Sequence, residues 1–67
     1  MISARNQVPG QITAVKLGAV AAEVVISAAG VEIVAAITRA SAERMKLAAG
    51  DRVTAVIKAS DVMIAKD

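Results

Sequence analysis

The sequence predicts an all-β domain, a small five-stranded barrel of the OB type with one short helix. Three observations carry this prediction. Short runs rich in Val and Ile are separated by Gly-containing turns. One stretch between the third and fourth runs breaks the alternation with a helical pattern. Several strands carry apolar residues on both faces, as in Val24-Val25-Ile26 and Ile33 to Ile37. Residues 1–67 are expected to form a single domain.

Each element has its own justification. Pro9-Gly10 ends a polar opening, and Gln11 to Leu17 reads as the first strand, closed by Gly18. Val20 to Ser27 is a second strand, rich in β-branched residues. Ala28-Ala29-Gly30 is a turn, because Gly readily takes positive φ, and Val31 to Thr38 is the third strand. The second and third strands form a hairpin. Ser41 to Leu47 reads as a short helix with Ser41 as N-cap, Glu43 in the first turn, and Arg44 and Lys46 toward its C-terminus. Gly50-Asp51 is a turn. Arg52 to Lys58 is the fourth strand, with Val53, Ala55 and Ile57 on one face. Asp61 to Ala65 is expected to be a short fifth strand.

Composition excludes much chemistry. The chain has no His, Cys or aromatic residue. Disulfides, zinc sites, thiol nucleophiles and His acid–base catalysis are therefore excluded, as are aromatic platforms for single-stranded nucleic acid. The net charge of +2 comes from scattered Lys and Arg, with no run of three, unlike a polycationic nucleic-acid binder. No apolar stretch reaches the length of a membrane span without a charge, and Met1 to Arg5 lacks the layout of a signal peptide. A cytoplasmic protein without nucleic-acid or membrane partners is expected.

The chain is also short of core. A domain of 6.8 kDa buries only about 60% of its unfolded surface. Of its hydrophobic residues 16 are Ala, each burying little area, yet 57% of the chain is hydrophobic. Such a chain, without staples, is expected to finish its core against copies of itself.

Catalytic patterns are absent. The carboxylates Glu23, Glu32, Glu43, Asp51, Asp61 and Asp67 form no motif with one another or with a phosphate loop, so no enzymatic activity and no directly ligated metal are expected. Hydrogen-bond donors, by contrast, are grouped. Ser3, Arg5, Asn6 and Gln7 precede the first strand, Thr38 and Ser41 flank the start of the helix, and Lys58 and Ser60 close the fourth strand. Hydroxyls, amides, cations and free backbone N–H groups are what an oxyanion requires. A site made only of donors takes a fully deprotonated tetrahedral dianion and rejects hydrogen phosphate, whose proton needs an acceptor.

Those residues carry a resemblance. Ser3-Ala4-Arg5-Asn6-Gln7, then Gly18-Ala19-Val20 with Glu23-Val24-Val25, resembles the molybdate-binding Mop proteins, or molbindins, whose domain is also called TOBE. The resemblance continues through Ile37-Thr38, Ser41-Ala42-Glu43-Arg44, Gly50-Asp51 and Thr54 to Ile64, including Lys58-Ala59-Ser60. It implies barrels that exchange a strand in dimers, and dimers that assemble three at a time into a homohexamer. It implies molybdate as ligand, with tungstate as a second oxyanion, bound at subunit interfaces for storage and homeostasis. One site would use Ser3, Ala4 and Arg5, with Asn6 close by, completed by Thr38, Ser41, Lys58 and Ser60 of a neighbouring subunit. A second would use backbone around Gly18, Ala19 and Val20 near a symmetry axis. Pro9 departs from the family pattern and is expected to constrain entry into the first strand. A competing resemblance, of Leu47 to Val53 to swapped-hairpin transition-state regulators, implies a small dimeric DNA-binding module, but the chain lacks the basic face such modules carry.

Overall fold

In a computed structural model that describes residues 5–67, the chain builds one four-stranded antiparallel sheet. The elements are β1 (Asn6–Leu17), β2 (Ala21–Ala28), β3 (Val31–Thr38), a short helix α1 (Arg39–Arg44) and β4 (Arg52–Ile57), followed by a 3₁₀ turn over Ala59–Asp61. The order across the sheet is β3-β2-β1-β4.

The longest strand, β1, is shared between two partners. Its first half, from Asn6 to Gln11, pairs with β4, and its second half, from Gln11 to Leu17, pairs with β2. The change of partner bends the strand. Gly10 sits at the bend, where a Cβ would lie 2.6 Å from the Ser27 carbonyl oxygen and 2.8 Å from the Ala28 Cβ. Only glycine lets the two strands approach so closely. Thr13 is the extra residue of a β-bulge, because Ile12 faces Ile26 while Ala14 faces Val25. A bulge adds local twist, and the Thr13 hydroxyl donates to the Val25 carbonyl at 3.3 Å.

Hydrogen bonds of the 48–51 loop fasten the bend. Ile12 N–H donates to the Asp51 carbonyl at 2.9 Å and Gly50 N–H donates to the Ile12 carbonyl at 2.8 Å. The Gln11 amide donates to the Gly50 carbonyl at 3.1 Å, and the Asp51 carboxylate accepts from Ala48 N–H at 2.9 Å. The β2–β3 hairpin turns through Ala29 (φ 51°) and Gly30 (φ 78°), both left-handed as a two-residue type I′ turn requires.

Burial follows the pleat of β2, whose Val24, Ile26 and Ala28 cluster with Ile12 and Ala55, while Ala22 and Ala42 are also buried. Beyond this small core the inward residues of β3, Ile33, Ala35 and Ile37, are only half-buried. The curled sheet does not close. Its edge strands β3 and β4 face each other across an apolar groove of about 530 Å³, lined among others by Ile33, Ile37, Met45, Val53 and Ile57. The accessible surface is 5338 Å², against about 4,000 Å² for a compact monomer of this mass.

The OB-like, mostly β architecture agrees with the sequence-based expectation, and several element boundaries differ. β1 begins at Asn6 instead of Gln11, so Pro9 and Gly10 lie inside it. Pro9 pairs with Thr54 of β4, while pairing with β2 begins only at Gln11. With a neighbour on one side alone, the strand accommodates a residue lacking an N–H. The second strand starts one residue later than expected, and the fourth stops at Ile57. The helix occupies Arg39–Arg44 instead of Ser41 to Leu47, with Thr38 as its N-cap and no acidic residue in its first turn. The segment expected as a fifth strand joins no ladder in this chain. Its start forms the 3₁₀ turn, and Met63 and Ile64 beyond it are each 93% exposed.

Two stability predictions follow from this backbone. Gly10→Ala forces the Ser27 backbone aside and is expected to lower unfolding free energy by about 1–3 kcal/mol in urea titration. Ala29→Asn relieves a left-handed alanine and is expected to raise stability by about 0.5–1 kcal/mol, read as a higher melting temperature.

Candidate functional site

The predicted donors fall into two groups, one following each edge strand of the sheet. Ile37 and Ile57 both line the open groove, and the residues that follow them in the chain are Thr38 and Lys58. Edge strands β3 and β4 run in opposite directions, so Thr38 stands at the Leu17 end of β1 and Lys58 at its Asn6 end, and within one chain the two donor groups lie at opposite ends of the sheet. On the β4 side, Asn6 pairs with Ile57, so Arg5 and Asn6 adjoin Lys58 within one chain. Ser60 lies in the 3₁₀ turn that Lys58 caps. On the β3 side, Thr38 and Ser41 form the start of α1. No ladder joins β3 to β4, so nothing in the sheet bridges the two sides. Ser3 and Ala4 lie outside the described residues.

Hydrogen bonding defines what Thr38 and Ser41 offer. Ser41 N–H donates to Thr38 Oγ1 at 3.1 Å, the N-cap bond, and Thr38 O–H donates to Ser41 Oγ at 2.9 Å. The Arg44 guanidinium donates to the same Ser41 Oγ at 3.4 Å. Ser41 thus stands three residues from Thr38 and from Arg44, the spacing at which helix side chains meet. Among the described residues, no hydrogen bond or ion pair occupies the side chains of Arg5, Asn6, Lys58 or Ser60. All four are exposed.

The second predicted locus, Gly18-Ala19-Val20, is the β1–β2 turn. It is held against α1 by Arg39. Arg39 N–H donates to the Val20 carbonyl at 2.8 Å, and its guanidinium donates to the Gly18 carbonyl at 3.2 Å. The same guanidinium pairs with Glu43 at 3.1 Å. Gly18 closes the turn by donating to the Ala21 carbonyl at 2.8 Å. Ala21 pairs with Thr38, so this turn and the Thr38–Ser41 pair are neighbours at one end of the sheet.

Arg39 and Arg44 are the contributors that residue grouping by itself overlooks. Their signal is helical spacing, Arg39 four before Glu43 and Arg44 three after Ser41, and it becomes visible once the helix is placed at Arg39. Among the described residues no three carboxylates cluster to hold a metal ion, and no helix is long and apolar enough to cross a membrane.

Comparison with known proteins bears on this arrangement. The TOBE domain family profile matches residues 2–64. Molybdenum-pterin-binding protein 3 of Clostridium pasteurianum is 48% identical over 64 residues, covering 94% of both chains. A molybdate-binding protein from Sporomusa ovata has a structure that superposes with a TM-score of 0.94 at 38% identity, over 98% of both chains. The cytoplasmic molybdate-binding protein ModG, in a molybdate-bound form, superposes at a TM-score of 0.83 and 49% identity, over 87% of this chain and 42% of ModG.

The capping geometry distinguishes the two hydroxyls. Thr38→Ala removes the N-cap acceptor and is expected to cost about 1 kcal/mol in chemical denaturation, while Ser41→Ala costs less than half of that. Equal losses in the two variants would contradict Thr38 as the cap.

Proposed function

Because the chain belongs to the TOBE-domain family, we propose that it binds molybdate, and tungstate alike, at the subunit interfaces of a homo-oligomer. The protein stores and buffers the anion in the cytoplasm and transforms nothing: the oxyanion binds and leaves. One observation carries this reading. Its two donor groups stand at the C-terminal ends of the two edge strands, at opposite ends of a sheet whose apolar groove the chain leaves unclosed, so a second chain is needed to bring them together.

A second copy of the chain closes that groove. Segment 61–65 carries Val62, Met63 and Ile64, all exposed and unpaired in their own sheet, and both edge strands lack a neighbour. Exchange of this segment between two chains satisfies both and completes the five-stranded barrel. The apolar Leu17 and Val20, also exposed, join such dimers into a trimer of dimers.

Ligation follows from charge and donor type. A dianion buried between subunits is costly unless cations and hydrogen bonds replace its water. Arg5 and Lys58 supply the cations. Ser41 and Ser60 supply hydroxyls, Asn6 an amide, and Ser3 and Ala4 the opening of the chain. Thr38 holds Ser41 in place through the N-cap. Gly18, Ala19 and Val20 form the second locus, through backbone groups near the symmetry axis. The name of the Clostridium relative also mentions a pterin. This chain has no aromatic residue on which a pterin ring stacks, which favours the bare oxyanion.

Calorimetry of the purified protein against molybdate tests the reading. Arg5→Ala and Lys58→Ala are each expected to weaken binding at least about tenfold, with an unchanged circular dichroism spectrum. Unchanged affinity in both variants would overturn the site assignment. Sedimentation is expected to give about six times the chain mass of 6.8 kDa, and a folded monomer would overturn the assembly.

A further inference from the structure

The C-terminal segment carries two unlike rows of side chains. Alternate residues of an extended strand point to opposite faces. Asp61 closes the 3₁₀ turn, its N–H donating to the Lys58 carbonyl at 2.9 Å, and Val62 after it is already extended, with φ −89° and ψ 123°. Counted from there, one row is Val62, Ile64 and Lys66, and the other is Asp61, Met63, Ala65 and Asp67. In the single chain the rows are not told apart, since Met63 and Ile64 are exposed alike. Only a neighbour that covers one face separates them.

The apolar groove between β3 and β4 supplies a face of the right character, lined by Ile33, Ile37, Val53 and Ile57 between two unpaired strand edges. The surface left over is enough for a stable contact. It exceeds that of a compact monomer by more than the roughly 800 Å² that one partner contributes to a standard interface. Charge decides which row enters. A carboxylate turned onto isoleucines loses its water with nothing to replace it, and the Met63 row has a carboxylate at each end. The other row has two β-branched residues, which suit a packed strand, and ends in Lys66. The lysine stem covers apolar surface while its ammonium reaches water.

We infer that Val62 and Ile64 are the anchors by which the 61–65 segment of a second copy seats in the groove, with Met63 turned outward. This seating rests on the strand exchange proposed above and names the residues through which one chain recognises the next. It also explains why three consecutive apolar residues follow the turn: two fill the partner's core and one stays on the outer face of the barrel.

Thiol labelling reads the pleat directly. The chain has no Cys, so one introduced thiol reports one position without background. Val62→Cys, Met63→Cys and Ile64→Cys are purified under reductant, desalted and treated with a water-soluble maleimide, natively and in urea. In the native protein positions 62 and 64 are expected to react at least about tenfold more slowly than position 63, and in urea all three react alike. Native rates that are uniformly fast, uniformly slow, or slowest at position 63 would overturn the inference. A second pair of variants covers the case in which a cysteine itself disturbs assembly. Ile64→Asp is expected to sediment at the mass of one chain, while Met63→Asp remains associated. An associated Ile64→Asp or a monomeric Met63→Asp would also overturn it. Failure of the strand exchange itself looks different, because the wild-type protein would then sediment as a folded monomer.

Discussion

The close approach of β1 to β2 at Gly10 is the contact on which the rest of the structure depends. It allows one strand to leave β4 and join β2 without a break in the sheet. The Thr13 bulge adds twist, and the 48–51 loop, bonded to Gln11 and Ile12, fastens the bend. A sheet curled in this way brings its two edges face to face. The same curl leaves them too far apart to bond, so the fold arrives at a groove with two unpaired edges and a half-exposed apolar lining. A larger side chain at position 10 would push β1 and β2 apart at this point.

From this follows the link between assembly and ligand. An apolar groove and two bare strand edges are liabilities for a monomer. The proposed donors stand at the ends of those same edges, so a copy of the chain that covered the groove would also reach the proposed anion site. Burial sharpens the effect, because attraction between a dianion and Arg5 or Lys58 grows as water leaves. A site built from one chain alone would remain open to solvent, and its cations would act through a high dielectric. In the proposed assembly, a second copy of the chain would supply both the missing core and the missing desolvation.

How much of this could be read from residues varies with the kind of signal. The β2–β3 hairpin was legible because Gly30 marks its turn and Val24, Val25 and Ile26 mark its strand. The helix was legible as an element and misplaced by two residues, because Ser41 and Thr38 are both good caps. Tertiary contact decides between them: Arg39 N–H bonds to Val20, which begins the helix earlier. Pro9-Gly10 looked like the end of an irregular opening, as such dipeptides usually are. Only the change of strand partner, a long-range fact, makes Pro9 harmless and Gly10 necessary there. Segment 61–65 has a strand pattern, but pairing needs a neighbour, and its own sheet offers none. The donor groups were visible as clusters, and the resemblance related them to one ligand.

The central claim is that each oxyanion is held by donors from two chains. Mixed oligomers test it most directly. Arg5→Ala chains and Ser41→Ala chains, each deficient in molybdate binding alone, are unfolded together, refolded at equal amounts and titrated calorimetrically. If Arg5 and Ser41 of one site come from different chains, about a quarter of the sites regain both residues, and tight binding returns with that stoichiometry. If both residues come from the same chain, no mixed site is whole. The mixture then binds as poorly as its components, and the account is contradicted.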